Sequence, residues 1–267
     1  MTTLTQQLDP VVVHRPVLVS MPERLDAGCE SALRRSALLK NLDHDVAQAL
    51  AREFETFTAP RASILFAEDD TAEYLYIVLS GKVKLTQHAT GGREKLVELL
   101  GPSDQFGEVS VLDSTPRTST AVVVTDALLA RLSKAALHEW IARHPPMATQ
   151  LLRLVAQRLR RTHANLSTMV FVDTSGRVAK ELLRLAQRFG VPFRDEIRIE
   201  HDLSQTELAQ LVGASRETIN KILSNYTSRG WIRLETKCIV ILDRERLAQR
   251  AHPQPLPTHA IPSYHPY

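Results

Sequence analysis

Six positions in the second half of the chain, Leu152, Val155, Leu159, Thr162, Leu166 and Met169, are spaced 3, 4, 3, 4, 3. That spacing keeps one row of a long helix turned toward a single partner helix, as in the a/d seam of a two-stranded coiled coil. The row can be buried on the chain's own body or on a symmetric copy of itself. Leu151 and Leu154, off the row, suit the first purpose, while the regularity of the row favours the second. The predicted helix covers 145–172, starting at Pro145-Pro146, and separates two regions of different periodicity. Thr162 is the one polar residue on the row. A buried hydroxyl needs a hydrogen-bond partner, and either its own helix or a ligand at the dimer axis would supply one.

Ahead of the long helix the pattern is mostly that of strands. Leu38, Leu42, Val46, Leu50 and Phe54 recur four apart and predict a helix between Leu33 and Phe57. After Pro60 come short apolar runs at 64–66, 74–79, 83–85 and 96–100, then Ala121–Val124. Polar or glycine turns part them, among them Ser80-Gly81, Gly91-Gly92 and 101–104. Strands at such short intervals point to a small antiparallel barrel or jelly roll.

One irregular stretch, Phe106–Thr120, interrupts them. It holds Gly107 and Glu108 and, nine residues beyond Glu108, Arg117 and Thr118. Glycine lets a backbone come close to a ligand, and a carboxylate accepts hydrogen bonds from sugar hydroxyls. Arginine offers a rigid fork of donors that fits phosphate, and Thr118 adds a hydroxyl and a backbone N–H. One segment therefore carries partners for the ribose and the phosphate of a nucleotide. The plainer reading is a strand, a turn at Asp113-Ser-Thr-Pro116 and a surface ion pair.

Beyond the long helix, Asp173 opens another helical stretch with Val178, Leu182, Leu183 and Leu185 on its apolar face. Ser204-Gln-Thr-Glu207 is a capping box; its helix carries Leu208, Leu211 and Val212 and stops at Gly213. Ser215 caps a second helix, Arg216–Ser224, whose Ile219, Ile222 and Leu223 face inward while Arg216, Glu217, Asn220 and Lys221 face out. Two short helices joined in this way form a helix-turn-helix, and the runs 230–234 and 238–242 read as a wing hairpin. A plain helical hairpin with a solvated charged face has the same spacing.

The stretch Phe106–Thr120 resembles the phosphate-binding cassette of the cyclic AMP receptor protein/FNR family of bacterial regulators, and the other family landmarks follow in order. Asp173-x-x-Gly176-Arg177 resembles the family's hinge, and Gly213-Ala-Ser-Arg-Glu-Thr218 its start of the recognition helix. The resemblance covers roughly 35–250, and the strings 171–177 and 229–234 look most like actinobacterial members. It implies an α+β chain made of a cyclic-nucleotide-binding β-roll (jelly roll), a long dimerisation helix and a winged helix-turn-helix. Gly107, Glu108, Arg117 and Thr118 would hold the nucleotide, with Thr162 and His163 reaching it from the long helix. Arg216 would fork onto a guanine, Glu217 would accept from a cytosine amino group, and Asn220 and Lys221 would lie in the same groove. Ser204 and Ser215 would anchor phosphates through hydroxyls and helix N-termini. Two departures stand out. His163 replaces a serine of enteric members that reaches the ligand in the other subunit, and Lys221 replaces a third base-reading arginine.

The implied protein is a homodimer paired through 145–172, with cyclic AMP as effector and no metal. It would bind a palindromic operator in double-stranded DNA, meet RNA polymerase, and be no enzyme. The domains expected are an N-terminal arm (1–30), a sensor (31–144), the dimerisation helix (145–172), the DNA-binding domain (173–250) and a proline-rich tail (251–267). With 267 residues there is room for two modest cores, and a net charge of +3 is too mild to indicate nucleic acid unaided. Two cysteines, Cys29 and Cys238, read as free thiols of a reducing cytoplasm and are too few for an iron–sulfur cluster. No run spans a bilayer and no basic region precedes Val11–Val13, so a cytoplasmic protein without a secretory signal is expected. The rival on the same fold senses haem or redox state, or binds DNA without ligand; ten histidines leave haem open. A hydrolase built on Glu108, Asp113 and a histidine is the remote alternative, with no nucleophile–base motif to support it.

Overall fold

The computed structural model describes residues 26–89 and 93–251. The expected arm up to residue 25, the Gly91-Gly92 turn and the tail from 252 lie outside the described residues. The chain divides into two compact units, Met1–Val155 and Ala156–Tyr267.

The first unit opens with α1 (Ala27–Arg35), α2 (His44–Ala51), β1 (Glu55–Ala59) and β2 (Ile64–Phe66). It continues through β3 (Tyr74–Ala89), β4 (Arg93–Leu100), β5 (Gln105–Phe106) and α3 (Glu108–Asp113). β6 (Thr120–Ser133), α4 (Lys134–Arg143) and the start of α5 (Pro145–Phe171) complete it. Its sheet runs β1-β6-β3-β4, with β2 on β6 and β5 on β3, and all its pairings are antiparallel.

Successive residues of a strand point to opposite faces, and β3 buries both. Tyr76 and Val78 point into the roll with Phe57, Phe66, Val83, Phe106 and Leu129. Leu75, Ile77 and Leu79 point the other way, onto Leu38, Leu50, Leu137, Met147 and Leu151 of the helical layer. That double burial is why 74–79 is a continuous apolar run rather than an alternating one.

Three expectations are corrected here. The single helix of 33–57 is two helices and a strand. Asp26 caps α1 by accepting from Cys29 N at 2.7 Å, so residues 27–30 are helical rather than part of an arm. Leu38 in the turn after α1, Leu50 on α2 and Phe54 just ahead of β1 do share one core. Ser80-Gly81 is not a turn. The strand passes through it as a bulge, with register shifts on either side of Ser80 and Lys82. Gly81 has φ +81°, and a Cβ there would stand 2.4 Å from Asp126 O, so only glycine fits.

The second unit holds the rest of α5 and α6 (Thr174–Phe189), then β7 (Gly190–Phe193) and β8 (Glu196–Glu200). α7 (Gln205–Val212), α8 (Arg216–Ser228), β9 (Ile232–Glu235), β10 (Cys238–Ile241) and α9 (Arg244–Ala251) follow. The sheet order is β7-β8-β10-β9, so the wing hairpin is half of a four-stranded sheet. All four residues of β10, which lies between β8 and β9, are buried. α8 extends to Ser228, one turn beyond the expected Ser224. Cys29 and Cys238 are buried free thiols. Among the described residues no helix is long and apolar enough to cross a membrane.

Candidate functional site

The site in the first unit is assembled by the return from β5 to β6. Gly107 adopts a left-handed conformation (φ +77°) and starts α3, whose first residue, Glu108, is fully buried. α3 therefore replaces the expected irregular loop. Ser114, at φ +59°, ends it, and Ser110 Oγ donates to Pro116 O at 3.0 Å to fold the segment back. Asp113 Oδ1 accepts from Thr115 N (3.1 Å) and Thr115 Oγ1 (2.7 Å), and these bonds hold its carboxyl below the usual range. The far end is stitched to the β2–β3 loop: Arg117 N donates to Asp70 O (2.8 Å) and Asp69 N to Arg117 O (2.9 Å).

Arg117 is 2% exposed. Its Nη1 donates to Gly107 O at 2.7 Å and its Nη2 to Tyr74 O at 2.5 Å, while Nε has no hydrogen-bond partner among the described residues. The guanidinium lies 4.1 Å from the centroid of Phe66, which packs with Tyr76 and Phe106. Burial lowers the pKa of this group, opposed by Tyr76, Asp70, Glu108 and Glu73. A Cβ on Gly107 would stand 2.6 Å from Arg117 Nη1. The close approach that glycine permits here is thus made by the arginine. Phe66, Tyr74 and Tyr76 were not singled out from the sequence; the alternation Tyr74-Leu-Tyr76 was the available signal. Thr118 is exposed, and its carbonyl accepts from Gln87 Nε2 at 2.7 Å.

Gly107, Glu108, Arg117 and Thr118 are thus brought together in one segment. Thr162 and His163 are exposed on α5, in the second unit. Thr162 Oγ1 donates to Arg158 O at 3.1 Å, so its own helix already satisfies the hydroxyl. The rest of the predicted row is open: Leu152 is 71% exposed, Leu159 54% and Leu166 56%, whereas Leu151 and Leu154 are buried.

In the second unit the capping box is complete. Ser204 Oγ accepts from Glu207 N (3.2 Å), and Glu207 Oε2 accepts from Ser204 N (2.7 Å) and Ser204 Oγ (2.8 Å). Gly213, at φ +74°, ends α7, and Ser215 Oγ accepts from Thr218 N at 3.1 Å to start α8. Ile219 and Leu223 are buried, and Arg216, Glu217 and Lys221 are exposed. Asn220 departs from expectation: it is half-buried, and its Oδ1 is enclosed without a hydrogen-bond partner among the described residues. The expected outer face thus keeps three of its four residues.

An antiparallel roll with a buried Gly-Glu/Arg cassette, a long helix with an open apolar row and a winged helix-turn-helix define a ligand-sensing, DNA-binding regulator. The comparisons with known proteins agree. Residues 57–144 match the cyclic nucleotide-binding domain family, and residues 176–250 match the Crp-like helix-turn-helix domain. The chain is 47% identical over 222 residues to a CRP-like cAMP-activated global transcriptional regulator of Mycobacterium tuberculosis, covering 83% of this chain and 99% of that one. It is 34% identical over 202 residues to the cyclic AMP receptor protein of Thermus thermophilus, covering 76% and 90%. FixK2 of Bradyrhizobium japonicum shares the fold, with a TM-score of 0.66 at 23% identity over 73% of this chain and 96% of that one. The chain belongs to the cyclic AMP receptor protein/FNR family of transcription regulators.

Proposed function

We infer that the protein is a homodimeric, cytoplasmic transcription regulator whose affinity for DNA is raised by cyclic AMP. The observation that carries this reading is Arg117: a buried guanidinium beside the buried Glu108, whose terminal nitrogens are bonded to neutral carbonyls. A buried cation is stabilised most by an anion that also accepts its hydrogen bonds, and a cyclic phosphate does both. Glu108 takes the ribose hydroxyl, Gly107 and Thr118 flank the phosphate, and Thr162 and His163 extend the contact from α5. Thr162 can keep its bond to Arg158 O and still accept from a base amino group through a remaining lone pair.

The row Leu152 to Met169 pairs two subunits through 145–172, with the recognition helices α8 about 34 Å apart on a palindromic operator. Arg216 and Glu217 read base edges. Asn220 contributes less, because it is half-buried. Ser204 and Ser215 have hydroxyls engaged within their caps, so the free N–H groups of the helix N-termini make the phosphate contacts there. RNA polymerase is the further partner. The protein acts by binding, without turnover of the nucleotide and without a metal.

Titration calorimetry with cyclic AMP and cyclic GMP tests the reading. Saturable binding of cyclic AMP that leaves the nucleotide intact is expected. Heat with neither nucleotide would leave the same fold answering another signal, and hydrolysis would make it an enzyme. For the DNA face, Arg216→Ala should relax specificity at one base pair of each half-site, at about 1–3 kcal/mol per bidentate contact. Lys221→Ala should weaken binding evenly across sequences and flatten the salt dependence. Site selection on both variants reads the difference, and an unchanged preference for Arg216→Ala would remove α8 from the groove.

A further inference from the structure

The first turn of α6 is fastened to α8 by a side chain that no sequence motif flags. Tyr226 is 1% exposed, and its hydroxyl donates to Ser175 O at 2.7 Å and lies 2.9 Å from Ser175 Oγ. A phenol has one hydrogen, so with that hydrogen on the carbonyl, the serine hydroxyl donates back to the phenol oxygen. The ring packs 5.1 Å from that of Trp231, at the start of the wing. Burial pushes the phenol pKa up from its ordinary value, so the hydroxyl stays protonated. Arg177 makes a parallel but looser tie, to Val172 O (3.3 Å), Val212 O (3.4 Å) and Gly213 O (3.4 Å). On the other side of the hinge, Lys180 Nζ bonds Thr168 Oγ1 of α5. A line of contacts therefore runs from the end of α5 through the start of α6 to α8.

We propose that Tyr226 is a positioning residue that fastens the recognition helix to the first turn of α6, so that both turn as one piece when ligand acts on the α5–α6 junction. The inference rests on the regulatory reading above. A recognition helix held at one angle loses little freedom on docking, whereas one that rocks on its neighbours must be ordered by the DNA at a cost in affinity. The fastening matters most in the ligand-bound arrangement, where the angle is right. Without it, the gain in DNA affinity produced by ligand shrinks, although the fold persists.

The test compares wild type, Tyr226→Phe and Ser175→Ala, each with and without saturating cyclic AMP, by fluorescence anisotropy on one operator at fixed salt. Tyr226→Phe keeps the buried ring and removes the hydroxyl alone. Its ligand-dependent gain in affinity should fall roughly three- to tenfold, the range of one net hydrogen bond, with cyclic AMP affinity unchanged. Ser175→Ala keeps the accepting carbonyl and should retain most of the gain. An unaltered gain in Tyr226→Phe, or an equal loss with and without ligand, overturns the proposal, because the hydroxyl would then be inert or merely structural. If wild type itself shows no gain, the regulatory reading fails, and the fastening is judged by hydrogen exchange. Faster exchange of the amides at 176–180 in Tyr226→Phe supports it, and equal rates sink it.

Discussion

Arg117→Ala should weaken cyclic AMP binding by at least about a hundredfold, measured by calorimetry on the purified protein. Two charge-assisted bonds to a phosphate, each worth about 1.5–3 kcal/mol, set that scale. The variant also removes a structural member, because the same guanidinium holds Gly107 O and Tyr74 O and packs on Phe66. Two buried carbonyls would lose their donor, so the thermal midpoint should fall as well. Arg117→Lys separates the two effects. It keeps the charge but lacks the planar fork, so binding should recover only in part. Glu108→Ala should cost less affinity than Arg117→Ala, since its proposed contact is with the ribose and it acts on Arg117 only through charge. If Arg117→Ala is folded and binds like wild type, the guanidinium serves the roll and not a ligand.

The second large effect is expected at the open apolar row. Leu159→Lys should raise the dimer dissociation constant at least about a hundredfold in sedimentation equilibrium. A symmetric pair loses two buried leucines, each worth about 1.5–3 kcal/mol, and sets two like charges against each other. Leu159 is already 54% exposed within the subunit, so the fold of the subunit itself should be little affected. That combination distinguishes a dimer seam from a helix packed on its own roll, where Leu159→Lys would lower stability and leave association unchanged. Leu151 and Leu154, both buried, are the positions where such a loss is expected.

The parts of the molecule legible in the sequence are those fixed by local chemistry. Ser204-x-x-Glu207, Gly213 and Ser215 each satisfy backbone groups within a few residues of themselves, so their roles follow from spacing alone. The long helix was legible because its two apolar rows follow one period. Errors arose where a local pattern served a distant contact. Ser80-Gly81 has turn composition, yet it is a bulge within β3, where the carbonyl of Asp126 on the neighbouring strand leaves no room for a Cβ on Gly81. Leu38 to Phe54 keeps a helical period, yet the chain reaches one core from the turn after α1, from α2 and from the residue just ahead of β1. α4, the β7–β8 hairpin and α9 were missed. α4 had a readable signal in Ser133, which accepts from Ala136 N at 3.1 Å, ahead of Leu137, Trp140 and Ile141. The hairpin had less, since its turn places Arg194 at φ +55° without a glycine.

The candidate site divides in the same way. Glycine, carboxylate and arginine at the spacing of Gly107, Glu108 and Arg117 were visible as residue types. That Arg117 would lie buried against Phe66 and draw on the carbonyl of Tyr74 depends on strands far away in sequence. Tyr226 and Ser175, fifty-one positions apart, left no local trace at all.

The most direct test of the whole account is the affinity of the wild-type protein for a palindromic operator, measured by fluorescence anisotropy at fixed salt with and without saturating cyclic AMP. The account predicts at least about a tenfold tighter complex with the nucleotide, equivalent to about 1.4 kcal/mol of coupling, and no such gain in Arg117→Ala. Equal affinity with and without cyclic AMP, in a protein that binds the nucleotide, would contradict it.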